Sequence, residues 1–246
     1  MIKPTGPLYG KKIGILLASE FSDFQVYYLA SYIGEYGRTL EFLLVDWVNW
    51  KNVRPNINNK GVRGMWDLGV DPMLVMAGSD KSKVYRSLWD AIPSDYDVII
   101  IAGGHGADLM VTENDVISFL QDAVGNGMVI GSIGEESMSL ITAGLVQGKN
   151  VTGNNIVDYM LKRISNVQKA SVVVDDRLIT ARDTIDTPEF MRSLCKIFDP
   201  SYKDIWKNSL IGKTILFPIG EDYEDIELIV PTMEFIYRGM LFIIII

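Results

Sequence analysis

The chain has 246 residues, of which 48% are hydrophobic and 22% are charged, so its composition excludes intrinsic disorder and a fibrous repeat. Acidic residues outnumber basic ones by 31 to 23, which gives a net charge of −8. Without a basic run, nucleic acid is not an expected partner. A single cysteine and a single histidine exclude a disulfide framework and argue against a metal site.

Membrane insertion is also not expected. The longest apolar run, Met240–Ile246, is far shorter than the ~20 residues that a spanning helix needs. The N-terminal residues lack the apolar core of a signal peptide. We therefore expect a cytoplasmic protein without a membrane partner and without a cofactor.

Strands and helices alternate along the chain. Apolar runs of strand length are followed by segments with helical spacing, several of which end at a glycine. The predicted strands are Ile13–Ala18, Leu40–Val45, Asp97–Ala102 and Met128–Ile133, followed by a hairpin of Ser171–Val174 and Leu178–Thr180. The predicted helices are Phe24–Gly37, Tyr85–Ala91, Asn114–Asn126, Glu135–Gly144 and Thr187–Phe198. Residues 48–80 are irregular and predict a surface insertion. This order predicts an α/β fold with a parallel sheet covered by helices on both faces.

Two segments of the chain align without a gap when one is shifted by 202 positions. Gly10–Gly37 and Gly212–Gly239 share the order of strand, acidic loop, helix and closing glycine. A repeat of this kind predicts one domain at residues 1–205 and the start of a second, incomplete unit at residues 206–246. Because so short a unit buries too little apolar surface to fold alone, it must dock on its own chain or on a second copy. We therefore expect a homo-oligomer.

Three segments resemble the ThiJ/PfpI superfamily of the class I glutamine amidotransferase type. They are the strand and glycine turn at Ile99–Gly106, the segment Ile133–Thr152 and the late hairpin at Val172–Arg182. The resemblance covers about residues 10–198. The repeat makes the chain similar to family members with two tandem domains, and here the second repeat is predicted to be truncated. It implies a flavodoxin-like parallel sheet with its site at the carboxyl ends of the strands. It also implies a role in the stress response.

The side chains that carry the chemistry of this family are replaced here. The family places a cysteine at a sharp strand-to-helix elbow, and the matching residue is Gly134, which has no nucleophile. Glu135 replaces the histidine that follows it, and Ser22 stands where the first loop carries an acidic partner. Cys195 lies on an amphipathic helix and is predicted to be a small core residue. We expect a non-catalytic, oligomeric or small-ligand-binding member of the family.

Parts of a ligand site remain in the sequence. The backbone N–H groups of Gly103 and Gly104, and those at the start of the helix after Gly134, are suited to bind an oxyanion. His105 and Glu135 complete the predicted ligand-binding set, although Glu135 and its neighbour Glu136 bring two negative charges to the mouth of the site.

An enzymatic alternative stays open. An intracellular hydrolase of the PfpI peptidase type, or a glyoxalase-like or deglycase-like enzyme, would have to use a non-standard site. Its candidate catalytic residues are Glu135, His105 and Ser22, with Glu224 of a partner chain as a further source of the acid.

Overall fold

The computed structural model describes residues 6–35, 39–45, 85–205, 207–219 and 225–245. Its first part is built on seven strands: β1 (Lys12–Leu17), β2 (Thr39–Leu44), β3 (Tyr85–Ser87), β4 (Val98–Ile101), β5 (Val129–Ile133), β8 (Val172–Asp175) and β9 (Leu178–Ala181). They form one sheet in the order β3-β2-β1-β4-β5-β9-β8. All neighbouring pairs are parallel except β8 and β9, which form an antiparallel hairpin. The predicted α/β class with a flavodoxin-like sheet is confirmed.

Helices connect the strands and cover the sheet. They are α1 (Asp23–Glu35), α2 (Ala107–Thr112), α3 (Asn114–Gly125), α4 (Ser137–Thr142), α5 (Asp158–Ile164) and α6 (Thr187–Phe198). Two short strands, β6 (Asn150–Val151) and β7 (Asn166–Val167), form a small separate sheet. Among the described residues, no helix combines the length and the hydropathy needed to cross a bilayer.

The sheet separates two hydrophobic cores. Every residue of β4 is fully buried, as expected for a central parallel strand with helices on both faces. Ile100 packs into the core that contains residues of α1 and α6, while Ile99 and Ile101 pack into the core that contains residues of α2, α3 and α4. Because successive residues of a central strand face opposite cores, these strands have continuous apolar sequences rather than alternating apolar and polar residues.

Two predicted helices differ from the structure. Residues 85–91, predicted as a helix, form β3 and one 3-10 turn at Leu88–Asp90, because pairing of β3 with β2 outweighs the local helical spacing. The helix predicted at Glu135–Gly144 begins as a 3-10 turn at Gly134–Glu136 and becomes regular only in α4. The insertion predicted at residues 48–80 lies outside the described residues.

The C-terminal residues form a second strand–helix–strand unit. It consists of β10 (Thr214–Pro218), α7 (Asp225–Tyr237) and β11 (Leu241–Ile245), and the two strands pair in parallel. Its elements begin where those of β1, α1 and β2 begin, shifted by 202 positions, and α7 also ends where α1 ends. The pairing register is shifted equally, since Lys12 pairs with Thr39 and Thr214 pairs with Leu241. The division of the chain at residue 205 stays a prediction.

The C-terminal unit docks on its own chain. Ile229 and Met233 of α7 are buried in the same core as the residues of α1 and α6. Arg192 of α6 pairs with Glu234 through two contacts of 2.7 and 2.9 Å, and Tyr28 of α1 donates a hydrogen bond to the same carboxylate at 2.7 Å. A buried ion pair thus joins three helices across the boundary between the two units.

Candidate functional site

The predicted site residues meet at the carboxyl ends of β1, β4 and β5. Phe21, in the loop after β1, forms an isolated bridge with Gly104, and the backbone N–H of Ser22 donates to the carbonyl of Gly103 at 2.5 Å. Gly134 follows β5 directly. The structure therefore brings these loops together at the sheet edge where open α/β folds carry their sites.

Gly103 and Gly104 allow the strand ends to approach closely. A Cβ on Gly104 would lie 2.4 Å from the carbonyl oxygen of Glu20, and one on Gly103 would lie 2.5 Å from that of Ile133. Gly104 also has a φ of +132°, which side-chain-bearing residues rarely adopt. The Gly103 N–H, predicted to face a ligand, donates to Gln25 Oε1 at 2.6 Å, so a ligand would have to displace an existing partner.

Gly134, the residue that the family resemblance matches to a cysteine, lies in a left-handed turn directly after β5. Gly134 has a φ of +73°, in the left-handed region that glycine enters at little cost. Gly134 is buried, yet a Cβ there would have one neighbour within 4 Å, the Nδ2 of Asn154 at 3.9 Å. The elbow therefore has room for a side chain that the sequence does not supply.

Neutral polar groups surround Ser22, the residue that the family resemblance matches to an acidic partner. Ser22 is 9% exposed, and its hydroxyl lies 3.5 Å from that of Thr184. Gln25 donates from Nε2 to the same Thr184 oxygen at 2.9 Å. Sequence reasoning missed Gln25 and Thr184, because they lie more than 150 positions apart and only the fold joins them.

His105 lies at the surface. Its Nδ1 is 3.4 Å from Glu20 Oε2, and the two side chains are 70% and 66% exposed. A contact between two side chains with this exposure contributes little to stability. His105 follows the glycine turn as predicted, but its side chain is solvated rather than enclosed in the site.

Glu136 corrects the predicted charge at the mouth of the site. The sequence suggests two negative charges, but Glu136 is fully buried, and neither of its carboxyl oxygens has a hydrogen-bond partner among the described residues. Burial, together with the nearby charges of Glu135 and Asp108, raises its pKa well above the usual range. Burial therefore disfavours the charged form of Glu136, and the structure does not support two negative charges at the mouth of the site.

The cysteine and the serines that the sequence offers as other candidate nucleophiles are buried. Cys195 is the one cysteine of the sequence, and it is 2% exposed in the core beneath α6, as predicted. Ser132 and Ser137, on either side of the elbow, are both fully buried with their hydroxyls 3.1 Å apart. Within the described part of the chain, no group of three or more acidic, histidine or cysteine side chains is placed to hold a metal ion.

A flavodoxin-like sheet with a left-handed elbow after β5 defines the class of the protein. The sequence model of the DJ-1/PfpI family matches residues 11–197, and the chain belongs to this family.

Three comparisons illustrate the relationship. The chain is 25% identical over 189 residues to Protein/nucleic acid deglycase 2 of Escherichia coli, and the match covers 76% of this chain and 97% of the relative. It is 23% identical over 177 residues to DJ-1 protein homolog E of Arabidopsis thaliana, covering 69% of this chain but only 44% of that protein. The crystal structure of a two-domain Anabaena variabilis protein with DJ-1/ThiJ/PfpI-like and ferritin-like domains superposes with a TM-score of 0.64 at 21% identity, covering 79% of this chain and 51% of that one.

Proposed function

We propose that the chain is a non-catalytic DJ-1/PfpI family member that binds a small molecule at the elbow and acts as a homo-oligomer. The observation that carries this proposal is Gly134. The backbone of the elbow is kept in the left-handed conformation, but the residue that occupies it has no side chain to attack a substrate.

The replacement of the acidic partner by Ser22 supports the same proposal. A thiol at an elbow needs a neighbouring group that shares or accepts a proton. Ser22 and Thr184 offer only hydroxyls there, and Gln25 offers an amide. Nucleophile and acid are therefore both replaced, which favours binding over turnover.

The chemistry around the elbow suggests the class of ligand. The room above Gly134 is bordered by the amide of Asn154, and Glu135 carries a negative charge next to it. An anionic ligand is disfavoured by that charge, so we propose a neutral polar molecule that hydrogen-bonds to the amide and to the backbone of Gly104.

The proposal extends to the organisation and location of the protein. The matched bounds and register of β1-α1-β2 and β10-α7-β11 support a division of the chain into a first domain at residues 1–205 and a repeat of its opening strand, helix and strand at residues 206–246. A cytoplasmic location and a role in the stress response follow from the cysteine usage and the family resemblance alone.

An enzyme is the second candidate. It is favoured by the match across 97% of a relative whose name describes a deglycase. In this chain such an activity, or a peptidase or glyoxalase activity, would have to use Glu135, His105 or Ser22. Of these, Ser22 is engaged with Thr184 and His105 is paired with Glu20 at the surface.

Restoring the missing groups tests the proposal. Gly134→Cys supplies the thiol, and Gly134→Cys with Ser22→Glu supplies thiol and acid together, both in a Cys195→Ser background as the matched control. We expect thiol-dependent deglycase, glyoxalase or peptidase activity to be absent from the control, weak in the single variant and stronger in the double variant. Activity in the control that falls when Glu135→Gln or His105→Ala is added would establish the enzymatic alternative instead.

A further inference from the structure

A cavity lies at the edge of the sheet opposite to the elbow. Its volume is about 290 Å³. It opens at the amino ends of two neighbouring parallel strands, beside Met128, which precedes β5, and Leu178, the first residue of β9. Gly134 follows the carboxyl end of β5, so the cavity and the elbow lie at opposite ends of the same strand and have no lining residue in common.

The inner wall of the cavity is apolar. Met128, Ile130 and Leu178 are buried and belong to the core that contains residues of α3 and α4. Leu145 packs against the same core and is half-buried, while Val124 of α3 is 45% exposed. The volume lies near the lower end of the range of about 300–1,000 Å³ for small-molecule pockets. The wall and the volume together suit a ligand with a compact apolar part.

Four charged residues also line the cavity, and two of them form an ion pair with each other. Lys149 Nζ lies 3.1 Å from Asp175 Oδ1. Asp175 Oδ2 accepts hydrogen bonds from the backbone N–H and the side-chain amide of Asn150 at 2.8 and 2.9 Å. The hydrogen bonds from Asn150 and Lys149 lower the pKa of Asp175. The charges of Lys149 and Asp175 therefore compensate each other within the protein.

The other two charged residues, Asp176 and Arg177, form no salt bridge with any described residue. Asp175 pairs with Leu178 across the hairpin, so Asp176 and Arg177 are the two turn residues between β8 and β9. Arg177 donates a hydrogen bond from Nη1 to the carbonyl of Gly127, which holds its guanidinium beside the cavity. Two adjacent residues thus bring opposite charges to the cavity without an ionic partner.

We propose that this cavity binds a free α-amino acid with an apolar side chain, such as leucine. Arg177 binds the carboxylate, Asp176 binds the ammonium group, and the side chain packs against the apolar wall. The inference goes beyond the proposed function and does not depend on it.

Charge complementarity favours such a zwitterion over a simple ion. The ammonium and carboxylate groups of an α-amino acid are bonded to one carbon atom, and the charges that match them belong to two residues adjacent in the chain. A carboxylate alone would be attracted by Arg177 but repelled by Asp176, and an amine alone would meet the reverse. The net charge of −8 further disfavours a simple anion.

Titration of the ¹⁵N-labelled full chain with L-leucine, followed by heteronuclear NMR, tests the site. We expect saturable chemical-shift changes at the amides of Gly127, Lys149 and Leu178, which line the cavity. The amides of Gly104 and Gly134, at the elbow, should not shift. Three analogues, each without one recognised group, should bind roughly tenfold more weakly or worse. They are 4-methylpentanoate without the ammonium group, 3-methylbutylamine without the carboxylate and glycine without the apolar side chain.

Two variants test the charged residues separately. Asp176→Asn removes the charge and keeps a residue type that tolerates the φ of +57° at this position. Arg177→Gln removes the guanidinium. Each should weaken the binding of L-leucine about tenfold. Arg163→Gln is the matched control, because Arg163 is an exposed arginine on α5 away from the cavity, and it should leave the binding unchanged.

Melting temperatures show whether the variants are folded. If Arg177→Gln unfolds through loss of the hydrogen bond to Gly127, Asp176→Asn decides alone. The proposal would be overturned by shifts that do not saturate, by shifts confined to the elbow, by equal binding of L-leucine and 4-methylpentanoate, or by wild-type binding in Asp176→Asn. None of these results concerns a nucleophile at the elbow, so the proposed lack of catalysis would stand.

Discussion

Replacing Glu234 by glutamine should destabilise the whole chain, not only its C-terminal unit. Glu234 accepts hydrogen bonds from Arg192 at 2.7 and 2.9 Å, from Tyr28 at 2.7 Å and from Tyr32 at 3.2 Å. The Arg192 side chain is 3% exposed and that of Glu234 is 12% exposed. The amide keeps the volume and one acceptor oxygen, but it leaves the guanidinium of Arg192 buried without a counter-charge.

The loss in free energy of unfolding follows from the burial of the ion pair between Arg192 and Glu234. Removing one partner of a buried ion pair costs about 3–5 kcal/mol, and the retained oxygen places this variant near 3 kcal/mol. For a chain of this size, that corresponds to a fall in melting temperature of roughly 6–12 °C. Arg238→Gln is the matched control, because Arg238, the residue that follows α7, donates to the same carboxylate at 2.9 Å and is less buried. Its loss should cost about 0.5 kcal/mol.

The pH dependence of stability gives a second measure of the same contact. Burial alone would raise the pKa of Glu234, but the charge of Arg192 and the hydrogen bond from Tyr28 outweigh it and lower the pKa. A lowered carboxyl pKa adds stability above the unfolded value, and that stability is lost as the pH falls through the folded value. Urea unfolding of wild type and Glu234→Gln should therefore differ at pH 7 and converge at acid pH. Equal stability of Glu234→Gln and Arg238→Gln at pH 7 would refute this account of how the two units are joined.

Three further variants test individual residues. Burial raises the pKa of Glu136. The contribution of Glu136 to stability is therefore full below the unfolded pKa of ~4.3 and declines as the pH rises above it. In urea unfolding between pH 5 and 8, Glu136→Gln should show a smaller loss of stability with rising pH than the wild type. A wild-type profile as flat as that of the variant would contradict the buried neutral acid. Gly131→Ala should lower the melting temperature by more than 5 °C, because its Cβ would lie 2.3 Å from the ring of Phe190; an unchanged melting temperature would contradict this packing. Gly134→Ala should cost only about 1–2 kcal/mol for its left-handed backbone, and a larger loss in chemical denaturation would show that the elbow has no room for a side chain.

The central strands could be predicted from the sequence, whereas the contact between Gln25 and Thr184 at the site could not. Val98–Ile101 is a continuous aliphatic run. In a chain that alternates strands and helices, such a run is typical of a parallel strand that is buried on both faces. The 202-position shift likewise anticipates the bounds of β10, α7 and β11, because the local pattern that makes β1, α1 and β2 is repeated. Residues 85–91 show where prediction from the local sequence fails, because the three-residue strand β3 depends on pairing with its neighbour β2 rather than on its own residue pattern.

The electrostatics of the site depend on tertiary structure. Glu135 and Glu136 are identical neighbours in the sequence, and only the 3-10 turn after β5 leaves the first half-buried and the second fully buried. Gln25 and Thr184 meet only because α1 and the turn after β9 converge at the carboxyl edge of the sheet. The replacement of the elbow nucleophile at Gly134, by contrast, depends on a single residue type, and it stays a prediction from the sequence.

Turnover by the unmodified chain is the most direct test of the absence of catalysis. Consumption of an α-oxoaldehyde such as methylglyoxal, release of a glycated adduct and cleavage of a peptide would each be followed at increasing protein concentration, with Cys195→Ser as the parallel sample. We predict rates equal to the protein-free blank for both samples, because the elbow carries no nucleophile and the one thiol is buried. A rate that rises in proportion to the concentration of the unmodified chain and persists in Cys195→Ser would contradict the account.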